Sequence, residues 1–387
     1  MAGMTGKNSI SSRQYNRGLI LKLIATGVCN TRIDLSRTTK LAKMTVTNII
    51  SEFLEQGLVT ECEEEPTEVC GRNPIRLQIA EKAPKVVGLL ILRDRIEAVL
   101  GTMTLELLRT ESICFDELTE ESLIQYSCDV IDRVLSGETE VLGIGVAALG
   151  PVDIKRGIIM SPPRFYGIHD IDIVSVLKEK YSLPVYLDHD NSSAALAENL
   201  FGSGQKVQDF IFLGVSNGIG SGIISGGEVF HNRQGFEAEI GHMSIDRNGI
   251  LCPCGNKGCL EMYASSHVVL EKLQSITGRK ADFKDFCQMS KDSEIKTVFE
   301  EMVEDIGAAL VNIVNLLHPE MIVLGCDCIF WDEKYVKMLE EIVNSKQMIR
   351  QNHICIKKAY FGENAQLLGA AANILNQTFK GNLLWTD

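Results

Sequence analysis

No run of apolar residues in this 387-residue chain approaches the roughly 20 needed to cross a bilayer. The stretch Met1 to Ile10 has no basic segment leading into an apolar core, so neither a secretory leader nor membrane insertion is expected. Without such a leader the 12 cysteines do not suggest a disulfide framework. A reducing cytoplasm, with most thiols simply buried, is the expectation. Net positive charge is missing too: the formal charge is −13, which taken whole argues against a nucleic-acid partner. Hydrophobic residues make up 45% of the chain, the share of an ordinary globular protein, and the length suits two or three domains.

The charge is uneven, however. Residues 1–60 hold 8 basic and 3 acidic side chains, a balance of +5, which leaves −18 on the rest. That asymmetry is expected of a small basic reader attached to an acidic body.

The densest chemistry lies between Gly235 and Tyr263. His242 is followed by Cys252 and Cys254, one residue apart, and then by Cys259 beyond the turn residues Gly255-Asn256-Lys257-Gly258. Three thiolates and an imidazole form a closed tetrahedral set suited to structural zinc, with no ligand position left for water. Glu237, Glu239 and Glu261 bracket the cluster, so a polar site is expected beside the metal.

The first 75 residues read as helices followed by a ribbon. Leu19, Ile20, Leu23 and Ile24 give Arg13–Ala25 an apolar stripe. Thr31 or Asn30 caps a second, short helix. In a third helix, from about Ala42 to Gln56, Val46, Ile49, Ile50, Phe53 and Leu54 share one face, while Lys43, Thr45, Thr47 and Asn48 occupy the other near its start. Leu58–Thr60 and Ile75–Ile79 can pair as a wing. This predicts a winged helix-turn-helix over 10–80 that places the third helix in a major groove, with Arg72 on the wing beside Gly71 in a minor groove. The acids Glu61, Glu63, Glu64, Glu65 and Glu68 are expected to point away from DNA.

From Lys85 strands alternate with helices. Val86–Ile91, Ala98–Gly101, Val141–Ala147 and Val185–Leu187 read as strands, with helices at Glu120–Leu135, Ile171–Tyr181 and Ser192–Leu200. A second cycle has strands at Phe210–Gly214, Gly218–Ile224 and Met321–Gly325, with helices from Asp305 to Leu317 and near Gly369–Ala372. The pattern predicts two α/β lobes around a cleft.

The whole chain, over residues 10–375, resembles the ROK family of repressors and sugar kinases, in particular its sugar-responsive repressors. The resemblance is carried by the His242–Cys252–Cys254–Cys259 signature with Glu261, by Pro184-Val185-Tyr186-Leu187-Asp188-His189-Asp190, by Gly150-Pro151-Val152-Asp153, and by Pro319–Gly325. It implies an α/β, two-lobed, actin-like and hexokinase-like (ribonuclease H-like) body preceded by the winged helix-turn-helix. The lobes would span 85–200 and 201–380, with the C-terminal helix packed back on the first. It further implies that Asp190, Glu239, His242 and Glu261 bind an effector, a sugar or sugar phosphate, and that Asp190 would be the general base if the chain were a kinase.

Departures from the kinase pattern favour the repressor branch. Where the kinases carry Asp-x-Gly-Gly-Thr against ATP, this chain reads Leu90-Ile91-Leu92-Arg93-Asp94. Bulky side chains there would stand where phosphate must approach backbone. The second phosphate loop is Ser216-Asn217-Gly218-Ile219-Gly220, and the adenosine-side Gly-Gly becomes Gly325-Cys326. On the sugar side the family's Asn residues are replaced by His189, Ser192 and Pro163, and its Gly by Ala238. In the DNA-binding unit the turn Gly is Lys40 and the helix cap is Ala42. The expectation is a cytoplasmic repressor, not an enzyme, that binds operator DNA as a homodimer or homotetramer and holds structural zinc. The alternatives are an active sugar kinase with a fused DNA-binding domain, and a repressor that answers to a protein partner.

Overall fold

The computed structural model describes residues 9–62, 75–162, 165–232, 235–350 and 352–383. Arg72, Gly71, Pro163 and the acids Glu63, Glu64, Glu65 and Glu68 fall outside them. The chain divides into two compact units. One comprises residues 1–148, 157–187 and 370–387; the other comprises 149–156 and 188–369.

The first unit opens with three helices, α1 (Ser9–Ala25), α2 (Arg32–Thr39) and α3 (Lys43–Glu55). The predicted stripe of α3 is buried through Val46, Ile49, Ile50 and Phe53. Thr31, not Asn30, caps α2, its side chain accepting from the Asp34 amide. Lys40 adopts a left-handed φ of 58°, the conformation that glycine favours at such a turn. Strands β1 (Val59–Cys62) and β2 (Arg76–Ile79) pair antiparallel, with Val59 opposite Ile79. The Leu77 amide donates to the Asn30 carbonyl and so ties the ribbon to the α1–α2 linker. Glu61 is neutralised by an ion pair with Arg32.

The same unit contains the sheet β5-β4-β3-β6-β7, built from β3 (Lys85–Ile91), β4 (Arg95–Gly101), β5 (Leu107–Cys114), β6 (Val141–Ala148) and β7 (Val185–His189). β3, β4 and β5 run antiparallel in turn, and β6 joins parallel to β3. Helices α4 (Glu120–Val134) and α5 (Ile173–Tyr181) complete it. The strand β5 is absent from the sequence reading.

The second unit begins with α6 (Asp190–Phe201), followed by a sheet ordered β10-β9-β8-β11-β12. Its strands are β8 (Phe210–Val215), β9 (Ile219–Ser225), β10 (Glu228–Val229), β11 (Met321–Cys326) and β12 (Cys355–Lys358). β8, β9 and β10 are antiparallel in turn, and β11 and β12 add in parallel. The two sheets therefore repeat one order. Around the second lie α7 (Glu261–Ala264), α8 (Ser266–Thr277), α9 (Phe283–Gln288), α10 (Ser293–Leu317) and α11 (Glu333–Lys346), enclosing Phe283, Phe286, Phe299, Trp331 and Tyr335.

Four helices start away from the expected residue: α1 at Ser9, not Arg13, α5 at Ile173, not Ile171, and two more. α10 begins at Ser293, not Asp305, with Asp292 as its cap. α6 begins at Asp190, not Ser192; His189 is its N-cap residue and makes no side-chain cap bond.

The last helix, α12 (Ala365–Phe379), has one end in each unit. A Cβ on Gly145 of β6 would lie 1.9 Å from the Ala370 carbonyl oxygen, so helix and strand meet backbone to backbone. Asn373 Nδ2 donates to the Val146 carbonyl across that contact at 3.1 Å. At the C-terminal end, a Cβ on Gly18 of α1 would lie 2.4 Å from the Phe379 carbonyl oxygen. The three-helix segment is thus packed against the end of α12.

Cys326, at the end of β11, has φ 53° and ψ −131°, a conformation nearly reserved for glycine. Cys326→Gly is expected to stabilise the protein by about 1 kcal/mol, the relieved strain exceeding glycine's added chain entropy. Urea denaturation would measure it, and unchanged or lower stability would count against strain at this position.

Candidate functional site

The glycines of the β8–β9 hairpin create space for α6. Gly214 and Gly220 are cross-strand partners, and Cβ atoms on them would lie 1.9 Å from Asn191 Oδ1 and 2.4 Å from Asn191 Nδ2. Gly222 would meet the Asn191 carbonyl at 2.3 Å. Two of the glycines in the loop that resembles a phosphate site, Gly218 and Gly220, are therefore occupied by protein: Gly220 by Asn191, and Gly218 by the carboxylate of Glu261, 2.7 Å from where its Cβ would stand. The other candidate phosphate segment lies in the first unit, where Leu90 and Ile91 are buried at the end of β3 and the Leu92 amide closes a tight turn onto Arg95.

Packed in this way, Asn191 holds Asp190. Its backbone amide and Nδ2 donate to Asp190 Oδ1 at 2.7 and 2.9 Å, and Gln366 Nε2 donates to Oδ2 at 2.9 Å. Asp190 is buried, and these three donors hold its carboxyl group in a fixed orientation. Two histidine–carboxylate pairs flank it. His231 Nε2 lies 2.9 Å from Asp188 Oδ1, and His189 Nδ1 lies 3.0 Å from Glu237 Oε1.

The His189–Glu237 contact has ion-pair length but poor alignment. Both ring nitrogens and Glu237 Oε2 are buried without an aligned hydrogen bond among the described residues. Burial works against the charged imidazole, yet the adjacent Glu237 carboxylate outweighs it. With the charges of Asp188 and Asp190, it holds His189 above its ordinary value.

Glu239 is exposed, but dense protein on its inner side, then the charge of Glu237, raise its carboxyl above the usual range. His242 and His189 oppose that rise, and Glu261 adds to it. Glu261 starts α7, and its Oε2 accepts from the Ile219 amide at 3.2 Å. Asp190, Glu239, His242 and Glu261 therefore all belong to the second unit. Sequence reasoning named Glu237 only as an acid bracketing the metal cluster, and did not select His189, Asp188 or His231 as site residues. The substitution of His for Asn at 189 was the available signal.

In sequence the candidate metal cluster lies between Glu239 and Glu261. One ligand atom each from His242, Cys252, Cys254 and Cys259 falls within 4.8 Å of all the others. Cys252 Sγ is 3.6 Å from His242 Nδ1, and Cys254 Sγ is 3.6 Å from Cys259 Sγ. Tetrahedral coordination at about 2.3 Å per zinc–sulfur bond requires sulfurs about 3.8 Å apart. The donor set fits such an ion.

Local backbone bonds shape this loop without any metal. The Cys252 amide donates to Asn256, Gly258 to Ile250 and Leu260 to Met243. Gly258 has φ 70°, and a Cβ there would lie 1.8 Å from the Asp246 carbonyl oxygen, so the turn demands glycine. Burial, then hydrogen bonds with the neighbouring thiols, push Cys259 up to about 12. Crowded thiols resist ionising together, and a bound cation reverses that preference.

In the first unit, Lys43, Thr47 and Asn48 are exposed on α3 and Thr45 is half-buried. Met44, between Lys43 and Thr45 on α3, is 69% exposed and was not singled out from the sequence.

The model of the ROK family matches residues 86–377. The xylose repressor of Caldicellulosiruptor bescii is 28% identical over 391 residues, covering 94% of this chain and 96% of that protein. A solved ROK family transcriptional regulator, described as a homologue of the E. coli MLC protein, superposes with a TM-score of 0.82 and 25% identity, over 96% of this chain and 98% of that one. The ROK family glucokinase of Streptomyces griseus, solved with glucose and AMPPNP, gives a TM-score of 0.67 and 25% identity, over 74% of this chain and 98% of its own. The α/β body accordingly has the actin-like, hexokinase-like fold of these proteins. With its matched segment spanning most of the sequence from β3 to α12, the chain belongs to the ROK family.

Proposed function

We propose that this chain is a sugar-responsive transcriptional repressor. One observation carries the reading. The kinase-length relative accounts for 74% of the chain, while the regulator accounts for 96%. The additional residues are those with a basic balance and an exposed polar face on α3.

Residues 10–80 form a winged helix-turn-helix in this reading, with α2 and α3 as its helix pair and β1–β2 as the wing. Lys43, Thr45, Thr47 and Asn48 face the major groove of operator DNA, and Arg72 reaches a minor groove. The two α/β lobes correspond to the sheet-bearing parts of the two compact units, with the main change from one to the other at residues 187–188 instead of 200–201, and the protein acts as a homodimer or homotetramer, as expected of a reader of palindromic half-sites.

A sugar or sugar phosphate is held by Asp190, Glu239, His242 and Glu261, whose oxygens accept from sugar hydroxyls. Zinc on His242, Cys252, Cys254 and Cys259 is structural: its four protein ligands leave no open position, so it shapes the loop that carries Glu239 and Glu261. His242 joins the two functions. With Nδ1 directed to the metal, Nε2 remains for the ligand. ATP-dependent turnover is not part of this reading, because the hairpin glycines receive Asn191 and Glu261 where phosphates would need backbone donors.

Asn48→Ala and Arg72→Ala are expected to weaken operator binding about tenfold or more, the usual cost of one base or groove contact. Sugar binding should stay intact. Fluorescence anisotropy with a labelled operator fragment and calorimetric sugar titration measure the two properties separately. Wild-type operator affinity in both variants would remove α3 and the wing as the DNA face, and ATP-dependent phosphorylation of a sugar, abolished by Asp190→Asn, would overturn the repressor-only reading.

A further inference from the structure

Two carboxylates of the candidate site are less fully partnered than its other acids. Asp190 has three donors, Asp188 has His231, and Glu261 has the Ile219 amide. The Glu237 side chain is only 8% exposed and contacts His189 through Oε1, while Oε2 is buried with no partner among the described residues. Two residues on, beyond Ala238, the carboxyl of Glu239 has neither a hydrogen bond nor an ion pair among the described residues. The strongest charges acting on Glu239 are those of Glu237, His242, His189 and Glu261. Those acting on His189 are Glu237, Asp188 and Asp190. No lysine or arginine is among them. The backbone fixes the pair: a Cβ on Gly150 would stand 2.8 Å from His189 Nδ1 and 3.1 Å from Glu237 Oε1, so both side chains lie against a glycine surface.

We propose that Glu237 and Glu239 form a subsite for a protonated amine, making the effector an amine-bearing, unphosphorylated sugar. This rests on the sugar-sensor reading above. An ammonium carries three donors and one positive charge. It satisfies Glu237 Oε2 and the carboxylate of Glu239 together, and it offsets a repulsion that a neutral hydroxyl leaves in place. His189, whose Nδ1 stands 3.0 Å from Glu237, keeps Nε2 for an oxygen of the same ligand, so the pair reads a donor and an acceptor side by side. A phosphate ester brings a charge of about −1.5 to −2 into a group of carboxylates without an arginine or lysine to receive it. Repulsion excludes it.

Calorimetric titration of the full chain with matched sugars tests this. The probes are gluco-, galacto- and manno-configured triplets of the parent hexose, the 2-amino-2-deoxy sugar and the 2-acetamido sugar. The 6-phosphate of each amine and a set of neutral pentoses complete the panel. In one triplet the amine should bind at least about tenfold more tightly than both neutral members, the gain of one well-formed charge-assisted contact. Its 6-phosphate should bind more weakly than the unphosphorylated amine. Glu237→Gln should erase the advantage of the amine. Glu239→Gln, at an exposed position, should reduce it with the melting temperature unchanged, which separates ligand recognition from folding. A neutral sugar binding as well as or better than its amine, or a 6-phosphate binding more tightly, would overturn the amine subsite and leave the sugar sensor standing. Failure of every sugar, pentoses included, would overturn both.

Discussion

Cys259→Ser is expected to release the bound metal and to lower the melting temperature by about 10 °C or more, the scale for losing several kcal/mol in a protein of this size. Cys259 is fully buried, and its sulfur sits beside those of Cys254 and Cys252. Serine cannot supply a thiolate, so three donors remain around an ion that needs four. The damage should spread along the chain because Glu239 and Glu261 stand on either side of the cluster, so sugar binding is expected to fall with the metal content. Metal analysis of the purified variant, scanning calorimetry and sugar titration would measure the three effects. A variant with wild-type metal content and melting temperature would show that the cluster holds no structural ion. Loss of metal with unchanged sugar binding would break only the proposed link between metal and effector.

Gly214→Ala should produce the second large effect, through packing. The new Cβ would lie 1.9 Å from Asn191 Oδ1 and 3.2 Å from Cys326 Sγ. Neither overlap can persist, and forcing a methyl into so tight a contact costs about 1–3 kcal/mol. The side chain that must move is the one donating to Asp190, so sugar affinity is expected to drop by about tenfold or more as the carboxylate loses a charge-assisted bond. The double variant Gly214→Ala/Asn191→Ala separates the two consequences. It should recover much of the stability, because the clash is gone, but not the affinity, because the donor is gone too. Full recovery of affinity in the double variant would show that Asn191 does not position Asp190.

Some of the fold was legible because its signals are local. The stripe of α3 and the cap at Thr31 depend on residues three or four apart, and each lies where the periodicity placed it. The elements that escaped have weaker local signals. β5 reads Leu-Leu-Arg-Thr-Glu-Ser-Ile-Cys and is an outer strand of its sheet, so its alternation is diluted by charge. The first turns of α10 carry Lys296, Glu300, Glu301 and Glu304 among their apolar residues, a solvated face that masked the helix start.

The candidate metal quartet could be read directly, since His242, Cys252, Cys254 and Cys259 all fall between positions 242 and 259 and a short loop confines them. The sequence by itself thus determined much of the secondary-structure pattern, the basic and acidic division of the chain and the identity of the four residues that could hold a metal. Only the tertiary structure decided which carboxylates are satisfied. His189 meets Glu237 across 48 positions, Gln366 reaches Asp190 across 176, and Asn191 occupies the glycine hairpin that resembled a phosphate loop. Those outcomes depend on which strands become neighbours and how closely a helix approaches a sheet. Such distances are set by packing between remote segments, and no local spacing encodes them.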